Sequence, residues 1–325
     1  MKIAVVGGGA WGTALAQIAA KGGRETLLWA REKEVVEAVN ERHENSLFLS
    51  GITLDPTIRA TADLGDITGC DAWLVVTPAQ HTRAVLESAP ACDKPMVLCA
   101  KGIEVRTGRL LHQVASEVCP DAGIAVLSGP TFANEVANGL PTAVTLAARD
   151  RSLAEQLRDR LAQPAFRIYL SDDLAGAEIG GAAKNVLAIA CGVVEGHGLG
   201  ENARAALIAR GFAEMTRFGL ACGARAETLT GLSGLGDLVL TCSSTGSRNY
   251  SLGKGIGEGR SAAELMADRQ TVAEGAFTAP VLARLARERN IDMPIVQAVA
   301  RLLDGASVES VLEALLSRPP RAEGA

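Results

Sequence analysis

Aromatic side chains are scarce in this sequence: three Trp, two Tyr and six Phe stand among 325 residues. That shortage excludes an aromatic-rich core and leaves Ala, Val, Leu and Ile to fill the interior. Excess positive charge is missing too, with 32 Lys and Arg against 37 Asp and Glu. A net charge of −5 argues against a nucleic-acid-binding protein, which needs a basic surface. A small anionic ligand would therefore require a local basic pocket. The four histidines, His43, His81, His112 and His197, lack any H-x-x-x-H or similar spacing, so no metal is expected. Seven cysteines form no C-x-x-C pair, and most lie in apolar runs such as VLCA and AIACGVV. Buried free thiols in a reducing compartment are the expectation. No uncharged apolar run reaches the roughly 18 residues of a membrane span, and the glycine-broken MKIAVVGGGAWG does not read as a signal peptide. The composition points to a soluble, cytoplasmic protein that is not an integral membrane protein.

The length calls for two domains. Up to Ser171, short β-branched runs alternate with helical patterns, as in βαβ units on a parallel sheet. Strands are expected at Ile3–Val6, Thr26–Trp29, Ala72–Val76, Met96–Ala100, Ile124–Leu127, Ala143–Ala147 and Arg167–Leu170, with helices such as Thr13–Lys21, Glu32–Arg42 and Leu153–Ala162 between them. Beyond Asp172 the pattern is helical only, broken by glycine-rich turns at Gly196–Gly200, Gly231–Gly236 and Gly253–Gly259. The expected fold is α/β, a Rossmann-type doubly wound sheet over residues 1–172, followed by an all-α helical substrate-binding domain over 173–325. The tail SRPPRAEGA has no apolar period and is expected to fray.

Gly7-x-Gly9-x-x-Gly12 follows the first strand directly and opens a helix near Ala10. The pattern alone is weak in a glycine-rich chain, but strand, turn, helix and second strand together are the context of a dinucleotide site. Gly7 permits the turn, Gly9 lets the backbone reach the pyrophosphate, and Gly12 allows close helix–strand packing. The helix start offers free N–H groups to the phosphates. At the end of the second strand, where NAD-selective folds carry an acid, stands Arg31. An arginine there suits a 2′-phosphate, so NADP(H) is expected to be preferred, with NAD(H) possible through Glu32. A plain surface pair between Arg31 and Glu32 or Glu34 is the alternative.

In the second half, EIGGAAKNVLAIACGVVE holds only Lys184 and Asn185 as long or polar residues between Glu178 and Glu195. A helix apolar all round is buried, and a buried lysine is costly unless paired or neutral. Lys184 is therefore a candidate acid/base, against the alternative of a lysine snorkelling to the surface. Asp237 is the only acid in LSGLGDLVLTCSSTGSRN, which ends in Ser247-Arg248-Asn249 and reads as an anion pocket with Thr241. Lys101, in VLCAKGIE, lies just past the carboxyl end of an expected strand, where open α/β sheets bind ligands.

The runs GGGAWGTALA, VVTPAQ, AKGIE, LSGPTFANEV, GAAKNVLAIACGVVEGHGLGENARAALIARGFAEM, GLSGLGDLVLTCSSTGSRNYSLG and VAEG closely resemble the bacterial NAD(P)-dependent glycerol-3-phosphate dehydrogenases, over essentially the whole chain. The resemblance implies interconversion of dihydroxyacetone phosphate and sn-glycerol 3-phosphate for glycerophospholipid synthesis, and a homodimer. By it, Lys184 is the general acid/base, and Lys101, Gly129, Thr131, Asn185, Asp237, Thr241, Ser247, Arg248 and Asn249 meet the substrate. Trp11, Arg31, Ala133, Val272 and Glu274 join the glycine turn at the cofactor, as do Lys101 and Arg248. Ala10 departs from the pattern, since many relatives carry Ser there, which puts one side-chain bond to the cofactor in doubt. Two other readings stand beside this one. A dehydrogenase of hydroxy acids or sugar acids would need one arginine for a carboxylate, whereas this segment gathers hydroxyl and amide donors around Arg248. An NADPH-sensing regulator that lost catalysis would be expected to lack Lys184 or Asp237.

Overall fold

The structure, a computed structural model, describes residues 2–90, 93–267 and 273–319. Its chain divides into two compact units, one of residues 1–100 and 109–177, the other of residues 101–108 and 178–325. The expected division at 172/173 misses two features: the excursion at 101–108, and a break five residues later, inside a helix.

The first unit is an eight-stranded sheet: β1 (Lys2–Val6), β2 (Glu25–Trp29), β3 (Arg59–Thr61), β4 (Ala72–Val75), β5 (Met96–Leu98), β6 (Ile124–Ser128), β7 (Thr142–Ala148) and β8 (Phe166–Ser171). The spatial order is β3-β2-β1-β4-β5-β6-β7-β8. The six strands from β3 to β6 are parallel, in the order of a dinucleotide-binding sheet. β7 runs antiparallel to β6 and pairs in parallel with β8, so the sheet is not parallel throughout. Helices α1 (Ala10–Lys21), α2 (Lys33–Glu37), α3 (Ala79–Ser88), α4 (Leu111–Val118), α5 (Ala133–Ala137) and α6 (Arg151–Leu161) connect the strands. Alternate strand residues feed two cores: Ile3, Val5, Leu28 and Leu74 belong to one, and Ala4, Val6, Leu27 and Trp73 to the other. Burial on both faces is why these strands read as apolar runs rather than as alternating patterns.

From Glu178 on, every helix and turn belongs to the second unit. α7 (Leu174–Gly196) begins in the first unit and is followed by α8 (Gly200–Ala221), α9 (Ala226–Thr230), α10 (Asp237–Cys242), α11 (Arg248–Gly257), α12 (Ala262–Leu265), α13 (Glu274–Glu288), α14 (Pro294–Leu303) and α15 (Val308–Leu316). By length and composition α7 could cross a membrane, but it is buried along its whole apolar stretch, as a core helix is.

Two sequence expectations are corrected here. Most of Gly253–Gly259 is not a turn but the last part of α11, and Gly231–Gly236 contains a π-helical turn, Leu232–Gly236. Their glycines serve close packing instead. A Cβ on Gly192 would meet Tyr250 O, and one on Gly253 would meet Ile189 O, so α7 and α11 cross backbone to backbone. The expectation of free thiols holds for Cys70, Cys99, Cys191, Cys222 and Cys242, all but Cys222 of them buried, whereas Cys119 is disulfide-bonded.

Candidate active site

Lys184 lies in the middle of α7 and is 6% exposed. Its Nζ donates to Asp237 Oδ1 at 2.6 Å and to Thr241 Oγ1 at 2.8 Å. Asp237 opens α10, and Thr241 sits four residues on, hence on the same helix face. The Thr241 hydroxyl passes its own hydrogen to Asp237 Oδ1 at 3.2 Å. The other carboxylate oxygen, Oδ2, accepts from Lys101 Nζ at 2.7 Å. One carboxylate with no solvent exposure thus bridges two lysines. The sequence named all three as site residues but not the sharing of one carboxylate by two lysines; segments 53 and 136 residues apart meet at Asp237.

The main chain of Lys101 is held as well. Asn185 Nδ2 donates to Lys101 O at 3.0 Å, and Lys101 N donates to Glu274 Oε2 at 3.3 Å. Asn249 Oδ1 accepts from Gly275 N at 2.9 Å, tying α11 to the start of α13. Gly275 was not singled out in the sequence. A Cβ there would come within 2.6 Å of Asn185 O and 2.8 Å of Asn249 Oδ1, so any larger residue would push both amides aside.

Burial is the main influence on Lys184 and lowers its pKa to about 8. Asp237 pulls it back up by its charge and its hydrogen bond, and the charge of Lys101 pushes it down. A lysine near that value can both give and take a proton at neutral to mildly alkaline pH. A second buried carboxylate in this unit, Glu214, has a different task. It accepts from Ile295 N and Val296 N at the start of α14, and burial pushes its pKa up to about 7.

In the first unit the glycine turn leaves β1 at the switch point, where the chain order reverses between β2 and β4. Gly7 has φ +130°, which an L side chain rarely adopts, and its N–H donates to Trp29 O at 3.0 Å. A Cβ on Gly12 would land on the Gly7 carbonyl oxygen, so helix and turn touch directly. Gly8, between the motif glycines, is equally constrained, since a Cβ there would meet Ala30 Cβ. Around Gly9, by contrast, no atom of the described residues lies within 4 Å of where a Cβ would be. α1 has no side-chain cap and no acid in its first turn, and the buried indole Nε1 of Trp11 has no partner among the described residues. Open space, uncapped N–H groups and an orphaned donor fit a dinucleotide's phosphates.

The remaining candidates fall in several places. Gly129, at φ +153°, follows β6, and Thr131 Oγ1 donates to its carbonyl at 3.3 Å. Ala133 begins α5 and packs against the same core as Ala10 and Trp11. Arg31 is exposed and donates to Glu32 Oε1 through Nε and Nη2, at 3.2 and 3.0 Å. Arg248 is exposed at the first position of α11. Ser247 serves as the N-cap of α11, accepting from Tyr250 N at 3.2 Å, so its oxygen is already engaged. Val272 lies outside the described residues. Among the described residues, no group of three or more His, Cys, Asp or Glu side chains is placed to hold a metal ion.

A dinucleotide-binding sheet and a buried lysine able to move a proton are the working parts of a nicotinamide-dependent oxidoreductase. Residues 2–154 match the family model for the N-terminus of NAD-dependent glycerol-3-phosphate dehydrogenase, and residues 173–313 match the one for its C-terminus. The chain is 65% identical over 322 residues to glycerol-3-phosphate dehydrogenase (NAD(P)+) of Erythrobacter litoralis, covering 99% of this chain and 98% of that protein. The protein of that name from Novosphingobium aromaticivorans is 64% identical, again covering 99% and 98%. The crystal structure of glycerol-3-phosphate dehydrogenase from Coxiella burnetii superposes with a TM-score of 0.93 at 37% identity, covering 98% of this chain and 99% of that one. The chain belongs to the NAD-dependent glycerol-3-phosphate dehydrogenase family.

Proposed function

We propose that this enzyme interconverts dihydroxyacetone phosphate and sn-glycerol 3-phosphate with Lys184 as the general acid/base. The observation that carries the reading is the buried Asp237 carboxylate shared by Lys184 and Lys101. When bound, the nicotinamide cofactor supplies or accepts the hydride. Protonated Lys184 polarises the ketone oxygen and delivers a proton to it; neutral Lys184 takes the proton back from the alcohol. Asp237 and Thr241 keep the ammonium aimed, and burial, with a smaller push from the charge of Lys101, brings Lys184 down to its working pKa.

Arg248 takes the substrate phosphate with its planar fork of donors, helped by the amide of Asn249. The first turn of α11 adds N–H groups. Gly129 and Thr131 are further substrate contacts, and Gly7, Gly9, Ala10, Trp11, Gly12, Ala133 and Glu274 hold the cofactor. Arg31 favours NADP(H), with NAD(H) also accepted. Its pair with Glu32 is a surface contact worth about 0–1 kcal/mol, easily given up for a 2′-phosphate. We read the enzyme as a cytoplasmic homodimer. The test is Lys184→Met: cofactor affinity should stay while kcat for ketone reduction falls at least ~10²-fold, the usual contribution of one acid/base group. A near-native kcat removes Lys184 from the chemistry.

A further inference from the structure

We propose that Asn45 is a positioning residue of the dinucleotide turn, acting through the peptide group between Gly8 and Gly9. Asn45 is 1% exposed, and its side-chain amide is fully employed. Nδ2 donates to Gly8 O at 2.8 Å and to Thr13 Oγ1 at 2.7 Å, while Oδ1 accepts from Phe48 N at 3.2 Å. The loop that carries it is itself anchored. Leu54 N donates to His43 O at 2.8 Å, closing the loop, and Gln17 of α1 bonds Thr53 O and Asp55 N at 3.3 and 2.7 Å. Leu49, Ile52 and Leu54 are buried beneath it. Asn45 is therefore a fixed donor brought from 37 residues away to one carbonyl of the glycine turn.

A trans peptide is planar, with its C=O and N–H pointing in opposite directions. Holding Gly8 O toward Asn45 turns Gly9 N–H the other way, away from the Asn45 amide. A Gly-Gly link has no Cβ to resist a peptide flip, so it is the step of the turn most in need of a latch. Flipped, it would present a carbonyl oxygen to the phosphates where a donor is required. Thr13 Oγ1, at 3.4 Å from Gly8 O, is too long a contact to replace the amide.

This inference rests on reading the turn as the cofactor site, and the experiment separates the two. Asn45→Leu is nearly isosteric and neutral but cannot donate. NADH affinity of the full-length protein, from titration of NADH fluorescence, should weaken about ten- to a hundredfold, the range for a hydrogen bond to a charged group. The KM for NADH should rise with it. The kcat at saturating NADH and the KM for dihydroxyacetone phosphate should stay unchanged, a split that a general loss of structure does not give. Gly9→Pro removes the N–H itself. Its φ of −69° suits proline, and the space where its Cβ would lie is open. It should weaken NADH binding at least as much, and adding Asn45→Leu to it should cost nothing more. Additive losses, or native NADH affinity in Asn45→Leu beside a weakened Gly9→Pro, overturn the proposal and leave the cofactor site standing. Native affinity in Gly9→Pro sinks the reading of the turn. Should Asn45→Leu not fold, Asn45→Ala carries the same test on the same readouts.

Discussion

In the first unit the candidate cofactor residues are mostly glycines, and what matters is the side chain that is missing. In the second, the candidate chemistry belongs to long charged side chains withdrawn from water onto a single carboxylate. What the glycine turn has to offer a ligand is backbone N–H groups, so its geometry depends on neighbours such as Ala30, Gly7 O and Asn45 that leave no room for error. The lysine cluster works through charge, so its behaviour depends on burial and on how many charges share Asp237. Disturbing the turn should therefore change affinity for the cofactor, whereas disturbing the cluster should change rate, pH dependence and stability together.

The largest effect is expected at Asp237, because its loss strands two lysines. Asp237→Asn should lower stability by roughly 3–5 kcal/mol near neutral pH, the cost of breaking a buried ion pair. Without the carboxylate the Lys184 pKa falls further, since Asp237 is what pulls it up. The stability deficit should then shrink as pH rises and Lys184 sheds its proton. A deficit independent of pH from calorimetric melts would show that Asp237 packs rather than pairs.

Arg248 comes next. Arg248→Ala should cost about 3–5 kcal/mol in kcat/KM for dihydroxyacetone phosphate, because the phosphate loses a charged, hydrogen-bonded partner. Dihydroxyacetone, which lacks the phosphate, should be a poor substrate for both proteins and scarcely distinguish them. Equal losses on the two substrates would mean that Arg248 supports something other than the phosphate.

Arg31 in the first unit should give the smallest change. Arg31→Ala should weaken NADPH by about ten- to a hundredfold and leave the KM for NADH unchanged. If both cofactors weaken together, the preference has another source and the side chain is structural.

The two regions were also unequally legible. The glycine turn could be read locally, because strand, turn and helix adjoin in sequence, and Lys184 stood out as one charge in an apolar helix. That Lys101 and Lys184 share Asp237 was invisible, since it depends on segments far apart. β3 was missed because Arg59-Ala60-Thr61 is three residues long and makes no apolar run. Glycines at 253 and 257 looked like turn residues, yet they let α11 press on α7, a use that local composition does not separate from a turn. Asn45 gave no signal either, for a lone asparagine in a loop is unremarkable until its amide is seen on Gly8 O.

The central claim is that Lys184, tuned by burial and Asp237, moves the proton, and the pH dependence of both directions tests it most directly. With kcat measured at saturating substrates, oxidation of glycerol 3-phosphate needs neutral Lys184 and should rise as pH passes through about 8. Reduction of dihydroxyacetone phosphate needs the protonated form and should fall over the same interval. Lys184→Met should abolish both transitions. Profiles that move in the same direction, or a transition near pH 8 that survives in Lys184→Met, would contradict the account.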